Sequence, residues 1–367
     1  MKAERALAGA TSSYEAWVDR HTPTLAPARA DKHALMATGP FPFLRATYYR
    51  WAALAAALPD PPGPVVGAVG DLHVENFGTW RDGEARLTWG VNDLDEADHL
   101  PAVLDLVRLA TSVEIARAHA GLPLPGGDVV GRLVDGYAQA LRPRGLSTVL
   151  DRPDPLRIDR LLPQSHPQRW WTRLAALPEA PDAPARAVTL LTGAFPRGTA
   201  PVSVHRRLAG LGSRDHLRLV GVGQVSGAPS VREAKALAPP ATWWLTGRSS
   251  GRVGALAAEI LTRSPRSPDP SLRLRGTWVV RRLAPWADRI EIADLRARAD
   301  VEALLIAMGA ETANVHLATA AGSDLGELTT RSTRRWLAAA TERMVEATVA
   351  EAALWQRLQA TRVAEKG

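Results

Sequence analysis

The sequence contains no cysteine, and this absence excludes several kinds of chemistry at once. Disulfide bridges, thiolate metal sites and cysteine nucleophiles all require a thiol. No uninterrupted apolar segment approaches the roughly 18 residues that a membrane span needs. The N-terminal segment also lacks the apolar stretch of a signal peptide. We therefore expect a cytoplasmic protein with no membrane partner.

Positive charge is present without being concentrated. The 367 residues carry a formal net charge of +7, and 46 % of them are hydrophobic, which is ordinary for a globular chain long enough for two lobes. There is no block of five basic residues, no zinc-finger spacing and no aromatic-rich RNA-binding signature. We interpret the basic surface as one that favours anionic substrates such as nucleotides, and we do not expect a nucleic-acid partner. Nothing in the sequence predicts an oligomeric state.

Two short acidic motifs are the most informative part of the chain. GDLHVENFG occupies residues 70–78, and NDLDEA follows at residues 92–97. The residues between them read as a strand, a turn and a second strand with alternating apolar side chains. Such a hairpin returns the chain to its starting end, so Asn76 and Asp93 should face each other, with Asp71 just upstream. This oxygen-rich group suits a hard divalent cation such as Mg²⁺.

The first motif also has the spacing of the catalytic loop of protein kinases, Asp-Leu-x-x-x-Asn, between Asp71 and Asn76. In that loop the Asp accepts the proton of the substrate hydroxyl, and the Asn binds a metal ion. An Asp after the following strand is the second metal ligand, which is the position of Asp93. We therefore predict Asp71 as the catalytic base and Asn76 and Asp93 as metal ligands. Asp95 either completes the metal site or is a solvated charge.

Two further residues are expected to support the loop. His73 is interpreted as a structural, hydrogen-bonded histidine in place of a base. Asp105 lies at the start of a predicted helix over residues 102–120 and should accept backbone N–H bonds from the loop. The alternative for Asp105 is a charge that interacts favourably with the helix dipole.

The rest of the chain divides by composition into helix-rich and strand-rich blocks, which favours an α+β protein with two lobes and a cleft. We predict helices over 43–58, 251–263, 300–318 and 329–359, and strands over 216–247, including TWWL, and over 276–283. Residues 121–200 read as a connector or helical insert. The expected parts are an N-terminal arm (1–24), a helical lobe with the catalytic hairpin and the insert (25–200), a β-rich nucleotide lobe (201–290) and C-terminal helices that complete the helical lobe (291–367).

Several segments together resemble the uncharacterised bacterial family DUF2252. They are the two acidic motifs and PFPFLRAT (40–47), DLVRLATS (105–112), LVGVGQVSG (219–227), REA (232–234), VVRRL (279–283) and GAETANVHLAT (309–319). The acidic motifs also resemble those of the phosphotransferase branch of the protein-kinase-like superfamily, which includes the aminoglycoside and choline kinases. This resemblance implies a two-lobed kinase-like fold with a small nucleotide lobe and a larger helical lobe.

The resemblance also implies nucleotide-binding residues. Gly221 and Gly223 resemble a loop that covers the nucleotide, and the REAK segment resembles the strand that contacts its phosphates through Arg232 or Lys235. The family pattern has Lys where this chain has Arg232, and the two are not interchangeable. These segments follow the catalytic loop by about 150 residues, whereas in ordinary kinases they precede it. We therefore expect a circular permutation.

The combined expectation is an enzyme that transfers the γ-phosphoryl group of ATP, its substrate, to a hydroxyl of an unknown small molecule or protein, with Mg²⁺ as cofactor. Two alternatives remain open: a nucleotide-binding regulatory protein without turnover, a pseudokinase, and an AMP transferase that binds its nucleotide flipped. A metallophosphoesterase built on Asp71 and His73 ranks lower, because the sequence has no Gly-Asn-His-Asp/Glu segment to supply further ligands.

Overall fold

The computed structural model describes residues 2–124, 128–142, 147–151, 156–199, 202–287 and 289–364. Within them the chain forms helices α1 (Lys2–Asp19), α2 (Ala26–Met36), α3 (Pro40–Ala46), α4 (Tyr48–Ala55), α5 (Val103–Ala120), α6 (Asp128–Leu141), α7 (Pro167–Ala175), α8 (Ala185–Thr192), α9 (Ala241–Thr246), α10 (Ala255–Arg263), α11 (Arg298–Leu317) and α12 (Arg331–Ala364). None of the helices described is long and apolar enough to cross a bilayer.

The strands form three antiparallel sheets. They are β1 (Val65–Ala68), β2 (Phe77–Arg81), β3 (Leu87–Val91), β4 (Asp98–Pro101), β5 (Thr148–Val149), β6 (Ser203–Arg206), β7 (Arg218–Val225), β8 (Ala228–Ala236), β9 (Arg273–Leu274) and β10 (Trp278–Leu283). β1 pairs with β4, β3 lies between β2 and β5, and the five-stranded sheet has the order β6-β7-β8-β10-β9. The described chain is therefore an α+β protein, as the sequence predicts.

The main core is formed by helices that pack around the acidic hairpin. α5 is buried on every side from Val103 to Val113, because α3, α6 and α12 surround it. The helix therefore has no solvent face over its first three turns. This central position places its first turn against the start of the GDLHVENFG loop.

Two glycines allow α6 and α11 to pack with their backbones in contact. A Cβ atom on Gly136 of α6 would lie 1.9 Å from the carbonyl oxygen of Ile306. A Cβ atom on Gly309 of α11 would lie 1.9 Å from the carbonyl oxygen of Leu133. Backbone atoms cannot yield as a flexible side chain can, so neither position accepts a larger residue.

Helix α1 occupies most of the N-terminal arm expected for residues 1–24. Its apolar residues recur at helical spacing, and Tyr14, Trp17 and Val18 are buried in the main core. The helix packs against α12, and Glu4 near its start pairs with Arg357 near the end of α12 at 3.0 Å. The two ends of the described chain therefore lie side by side.

Two other predicted elements were wrong because tertiary contacts override the local sequence pattern. The predicted helix over 43–58 breaks at Thr47, where the backbone leaves the helical region, and the Arg108 guanidinium binds the carbonyl oxygen of Leu44. TWWL is not a strand but part of α9, because Pro240 precedes the helix and the Glu96 carboxylate accepts the N–H of Ala241.

Residues 121–200 are more than a connector, since two of their helices cover the five-stranded sheet. α8 packs Ala187 and Leu191 against one face, beside Ala234 of β8. α7 packs Leu174 against Val220 and Val231 on the other face. The unit built on this sheet therefore begins before residue 201, the boundary that the sequence suggested.

We expect Gly309→Ala to lower the free energy of unfolding by about 1–3 kcal/mol, because the added methyl group overpacks the α6–α11 contact. Gly131→Ala is the matched control: it lies on α6, and nothing lies within 4 Å of its added Cβ. It should raise stability by about 0.5–1 kcal/mol through backbone entropy. Urea unfolding of both variants measures this, and equal effects would contradict the close approach of the helices.

Candidate active site

A cleft of about 900 Å³ lies between the acidic hairpin and the five-stranded sheet. Its lining includes five of the side chains singled out from the sequence: Asp71, His73, Asn76, Asp93 and Asp95. The structure therefore brings the two acidic motifs together, as the hairpin interpretation predicts. Lys235 lies in an adjoining pocket with Asp93 and Asp95.

The hairpin forms with the expected strands and faces. β2 pairs with β3 so that Phe77 lies opposite Val91, and Trp89 stacks on Phe77 with ring centroids 5.1 Å apart. The N–H of Asn92 donates to the carbonyl oxygen of Asn76 at 3.0 Å. Asn92, and not Asp93 as expected, is therefore the residue directly opposite Asn76, and Asp93 is the next residue along the chain.

The side chain of Asn76 is oriented by the loop itself. Its Nδ2 atom donates to the carbonyl oxygen of Asp71 at 2.7 Å. This bond assigns the amide, so Oδ1 is the atom that remains to accept a bond or bind a cation. Asn76 is buried at the cleft wall, which limits how far that oxygen can move.

Asp71 is held by a buried arginine. Arg108 is fully buried, and its Nε and Nη2 atoms both bind Oδ1 of Asp71, at 3.0 and 2.6 Å. The other carboxylate oxygen, Oδ2, is therefore the one that can accept a proton in the cleft. Burial raises the pKa of Asp71 to about 6 against the opposing charge of Arg108. A carboxylate that titrates near neutral pH is well matched to general-base chemistry.

His73 has the structural role expected of it. Its Nδ1 atom accepts the N–H of Glu75 at 3.2 Å, which caps the short 3₁₀ helix Val74–Asn76. Burial and the nearby charge of Arg45 hold the pKa of His73 well below its ordinary value. The imidazole is therefore neutral at physiological pH.

Asp105 holds the backbone just before Asp71 in place through hydrogen bonds. Its carboxylate accepts the N–H of Val69 at 2.7 Å and the N–H of Gly70 at 2.9 Å. His316 of α11 lies 3.0 Å from the same carboxylate and 2.9 Å from the hydroxyl of Tyr137. The backbone contacts are those that the sequence predicts, and together with His316 and Tyr137 they connect the GDLHVENFG loop to α5, α11 and α6.

We expect Asp105→Asn to destabilise the protein by about 1–3 kcal/mol, because an amide cannot accept from all three donors and leaves at least one buried polar group unpaired. Asp300→Asn is the matched control, since Asp300 also lies in the first turn of a helix. If Asp105 acts only on the helix dipole, both substitutions should cost a similar amount, about 0.3–1 kcal/mol. Urea unfolding of the two variants distinguishes these outcomes.

Lys235 joins the sheet to the hairpin. Its Nζ atom lies 3.1 Å from Oδ2 of Asp93 and also pairs with Oδ2 of Asp95. Although burial opposes ionisation, the charge of Lys235 holds the pKa of Asp93 below its usual range. Burial, together with the charge of Asp93, raises the pKa of Asp95 to about 7. One lysine is thus shared by two carboxylates of unequal basicity.

The structure places Gly221 and Gly223 away from the cleft, which corrects their assignment to a nucleotide-covering loop. Both lie within β7, on the face of the sheet that α8 covers. A Cβ atom on Gly221 would lie 2.9 Å from Val202 and 3.1 Å from Leu191, and one on Gly223 would lie 2.8 Å from Thr199. These glycines allow neighbouring segments to pack closely on the sheet.

Arg232 is also directed away from the cleft. Successive side chains of β8 alternate between faces, so Arg232 lies on the face opposite Lys235. Its Nε atom donates to the carbonyl oxygen of Ala194 at 3.1 Å, and its guanidinium lies over the Phe195 ring. Arg232 as a phosphate contact is therefore wrong, and Lys235 is the residue of this segment that reaches the acidic site.

A glycine-containing loop that the sequence reading missed lies beside Asp71. Residues 210–213, Gly-Leu-Gly-Ser, connect β6 to β7 and line the cleft. A Cβ atom on Gly212 would lie 3.0 Å from the carbonyl oxygen of Arg45 and 3.8 Å from Oδ2 of Asp71. Lys32 of α2 donates to the carbonyl oxygen of Gly212 at 2.5 Å. The signal available in the sequence was a Gly-x-Gly between two short strands.

Two other acidic residues near the site are already engaged. Glu96 lines the cleft, but its carboxylate accepts the N–H of Ala241 at 2.6 Å, and burial raises its pKa to about 8. Glu259 of α10 pairs with Arg263 on the surface of its own helix. Glu259 is therefore an exposed helix charge and does not contact Lys235.

The donor set fits a magnesium ion that is held partly by its substrate. Among the described residues, no three His, Asp or Glu side chains are grouped to hold a metal ion. Mg²⁺ typically binds through one or two carboxylates plus substrate phosphates, so a complete protein cage is not required. The Oδ1 atom of Asn76 and the carboxylate of Asp93, whose side chain is 42 % exposed, offer such a partial set.

His216 lies in the cleft beneath the glycine-containing loop, and its Nδ1 atom is buried without a described hydrogen-bond partner. Burial, with Lys32, Lys235 and Arg218 opposing the charge of Asp215, lowers the pKa of His216 to about 4. An unfolded histidine has a pKa near 6.5. As the pH falls, His216 is therefore protonated at a higher pH in the unfolded chain than in the native protein.

We expect this difference to reduce the free energy of unfolding as the pH falls from about 6.5 to about 4, by on the order of 3 kcal/mol. His216→Gln removes the titrating group, so the difference in stability between wild type and variant should change over this window and be constant above pH 7. Urea unfolding at a series of pH values measures it. Parallel stability curves would contradict the lowered pKa.

The fold and the cleft define an α+β protein with an acidic hairpin facing a basic sheet. Residues 21–153 match the model of the family described as "Uncharacterized protein conserved in bacteria (DUF2252)". The matched region contains the GDLHVENFG loop, the hairpin and α5, and it ends before the five-stranded sheet. No curated protein and no solved structure matches the chain. The comparison supports the resemblance to DUF2252 over the acidic half of the site.

Proposed function

We propose that the protein is a Mg²⁺-dependent phosphotransferase of kinase-like, two-lobed architecture, which transfers the γ-phosphoryl group of ATP to a hydroxyl of an acceptor. The observation that carries the proposal is the contact between Lys235 and Asp93. It sets a cation of the sheet against the acidic hairpin at one end of a cleft that also contains Asp71. Phosphoryl transfer requires this combination, because charge develops on the phosphoryl oxygens while a carboxylate orients the hydroxyl.

The order of parts within the sheet supports the kinase-like fold. In protein kinases a Gly-rich loop covers the phosphates and the phosphate-binding lysine lies on the third strand. Here β6, β7 and β8 are three consecutive, adjacent strands, the glycine-containing loop 210–213 joins the first two, and Lys235 lies on the third. In this comparison the loop 210–213, and not Gly221 and Gly223, corresponds to the Gly-rich loop of protein kinases.

The position of the chain ends supports a circular permutation. The sheet follows the catalytic loop in sequence, the reverse of the order in protein kinases. The 3.0 Å contact between Glu4 and Arg357 brings the start of α1 beside the end of α12. A domain whose ends are neighbours can be joined there and opened elsewhere without a change in its packing.

In the proposed reaction, Oδ2 of Asp71 accepts the proton of the acceptor hydroxyl while Arg108 holds the carboxylate in place. The hydroxyl oxygen forms a bond to the γ-phosphorus, the bond from that phosphorus to the β–γ bridging oxygen breaks, and ADP leaves. Lys235 would contact the phosphates. Asn76 and Asp93 would hold the Mg²⁺ that neutralises phosphate charge.

A departure from the kinase pattern favours a second candidate, AMP transfer with a flipped nucleotide. On the cleft face of the sheet beside Lys235 lie Glu233, Arg218 and Arg281, which are charged. Pockets for a nucleotide base are predominantly apolar. A charged surface here favours phosphates in the position where a kinase would hold the base, which is the orientation that AMP transfer requires.

The first test is binding of Mg·ATP at millimolar concentration, measured as a rise in melting temperature. Lys235→Met and Asp93→Asn should each lose most of this rise, because they remove a phosphate contact and a metal ligand. Arg232→Met is the control: Arg232 lies three residues before Lys235 on β8, on the opposite face of the sheet, so its removal should retain the rise. No stabilisation of the wild type by Mg·ATP would contradict the proposal.

The second test separates the two candidates by following label from ATP. Transfer of γ-labelled phosphate, to an acceptor or slowly to water, is expected for the phosphotransferase, and Asp71→Asn should lower its rate by about 100-fold or more. Protein-bound label from α-labelled ATP would identify AMP transfer instead. Tight Mg·ATP binding without transfer of either label would identify a regulatory nucleotide-binding protein.

A further inference from the structure

Glu233 organises three arginines on the cleft face of the sheet. Its side chain is fully buried, and its carboxylate is bound by Arg207 at 2.5 Å, by Arg218 at 2.9 Å and by Arg281 at 3.0 Å. Arg207 directly follows β6, whereas Arg218 and Arg281 lie on β7 and β10, the two strands that flank β8. One carboxylate therefore fixes the positions of three guanidinium groups on three segments.

The three arginines carry more positive charge than the single carboxylate of Glu233 neutralises. Three guanidinium groups surround one carboxylate, and although burial opposes its ionisation, their charges hold the pKa of Glu233 well below its usual range. The guanidinium of Arg218 is almost completely buried, and its Nε atom has no hydrogen-bond partner in the described structure. A buried donor without a partner is costly, so the cluster is suited to a ligand that supplies acceptors and negative charge.

The arginines lie where the cleft is covered by the glycine-containing loop. The Nη2 atom of Arg218 is 3.4 Å from the hydroxyl of Ser213 and would be 3.5 Å from a Cβ atom on Gly210. Arg281 lines both the main cleft and the pocket that contains Asp93. The positive surface thus runs from beneath the loop to the edge of the acidic site.

The charged groups around this surface leave it positive. From the hairpin, Asp93 and Asp95 share Lys235. From the segment before β7, Asp215 is paired with Lys32 and Arg29 of α2. Asp93 and Asp95 also attract Arg281. The four cations of this group still outnumber its three carboxylates, namely Lys235, Arg207, Arg218 and Arg281 against Glu233, Asp93 and Asp95.

We propose that Arg207, Arg218 and Arg281 form a binding surface for a chain of phosphates, and that Glu233 is the residue that positions them. Guanidinium groups bind phosphate oxygens through paired, charge-assisted hydrogen bonds, and several in a row match successive phosphates. The inference deepens the proposed function and rests on it for the identity of the chain as the triphosphate of a nucleotide. The base of that nucleotide then lies away from the sheet.

The experiment uses sodium tripolyphosphate as the probe, without divalent cations and at constant ionic strength, with calorimetric titration as the readout. Wild type should bind it at least about tenfold more tightly than inorganic phosphate. Arg281→Met and Arg207→Met should each weaken binding by about tenfold or more, since a charge-assisted hydrogen bond is lost. Arg232→Met removes the same charge from the opposite face of the sheet and should change the affinity less than about threefold.

The outcomes separate this proposal from the proposed function. Tripolyphosphate binding that depends on Arg281 and Arg207, without any phosphoryl or AMP transfer, leaves the binding surface established and contradicts the enzyme. If an Arg281→Met variant transfers phosphoryl or AMP groups with an unchanged KM for ATP, the proposed phosphate-binding surface is contradicted and the proposed enzymatic function is not. Failure of wild type to bind tripolyphosphate, equal losses in all three variants, or tighter binding of adenosine than of tripolyphosphate would each overturn it as well.

Discussion

The contact of Lys235 with Asp93 and Asp95 is the interaction on which the account of the site depends. It connects positions 142 residues apart in sequence, one on the five-stranded sheet and the other just beyond the acidic hairpin. The lysine is only 7 % exposed, so an uncompensated charge there would be costly, and the two carboxylates compensate it. This contact joins the charged surfaces of the sheet and the hairpin, and a hydrogen bond from Thr79 of β2 to the carbonyl oxygen of Trp286, just after β10, joins them as well.

The same principle of paired charge explains how the other side of the site is held. Arg108 is fully buried; its Nε and Nη2 atoms bind Asp71, and Nη2 also binds the carbonyl oxygen of Leu44. The break between α3 and α4 exposes that carbonyl, so a local irregularity near the N-terminus helps to orient the candidate base. Burial then leaves Asp71 with a pKa near neutrality, which a solvated aspartate would not have.

The acidic half of the site could be predicted from sequence because its signals are local. Alternating apolar residues, a turn and a returning strand define the β2–β3 hairpin, and Asp105 follows at a helix start within the same stretch. The basic half could not be predicted in the same way. Arg232 and Lys235 are three positions apart on one strand, so they lie on opposite faces, and only packing decides which face meets the hairpin.

The other differences between the sequence predictions and the structure concern the roles of glycines and helices that depend on contacts distant in sequence. Gly221 and Gly223 serve close packing within a strand, whereas Gly210 and Gly212 lie in a loop, and composition does not distinguish these uses. α9 forms in spite of its β-favouring tryptophans because Glu96, distant in sequence, accepts an N–H at its first turn. α1 gains its order from α12 at the other end of the chain.

Chemical labelling of lysine tests the central claim most directly. The chain has four lysines, at positions 2, 32, 235 and 366, so a reagent that carries an acyl phosphate on ATP and acylates lysines near its phosphates can be mapped without ambiguity by mass spectrometry. We expect Lys235 to be labelled, and excess Mg·ATP to suppress that labelling. Labelling confined to Lys2 and Lys366, with no effect of ATP, would contradict the claim that Lys235 contacts the phosphates of a nucleotide.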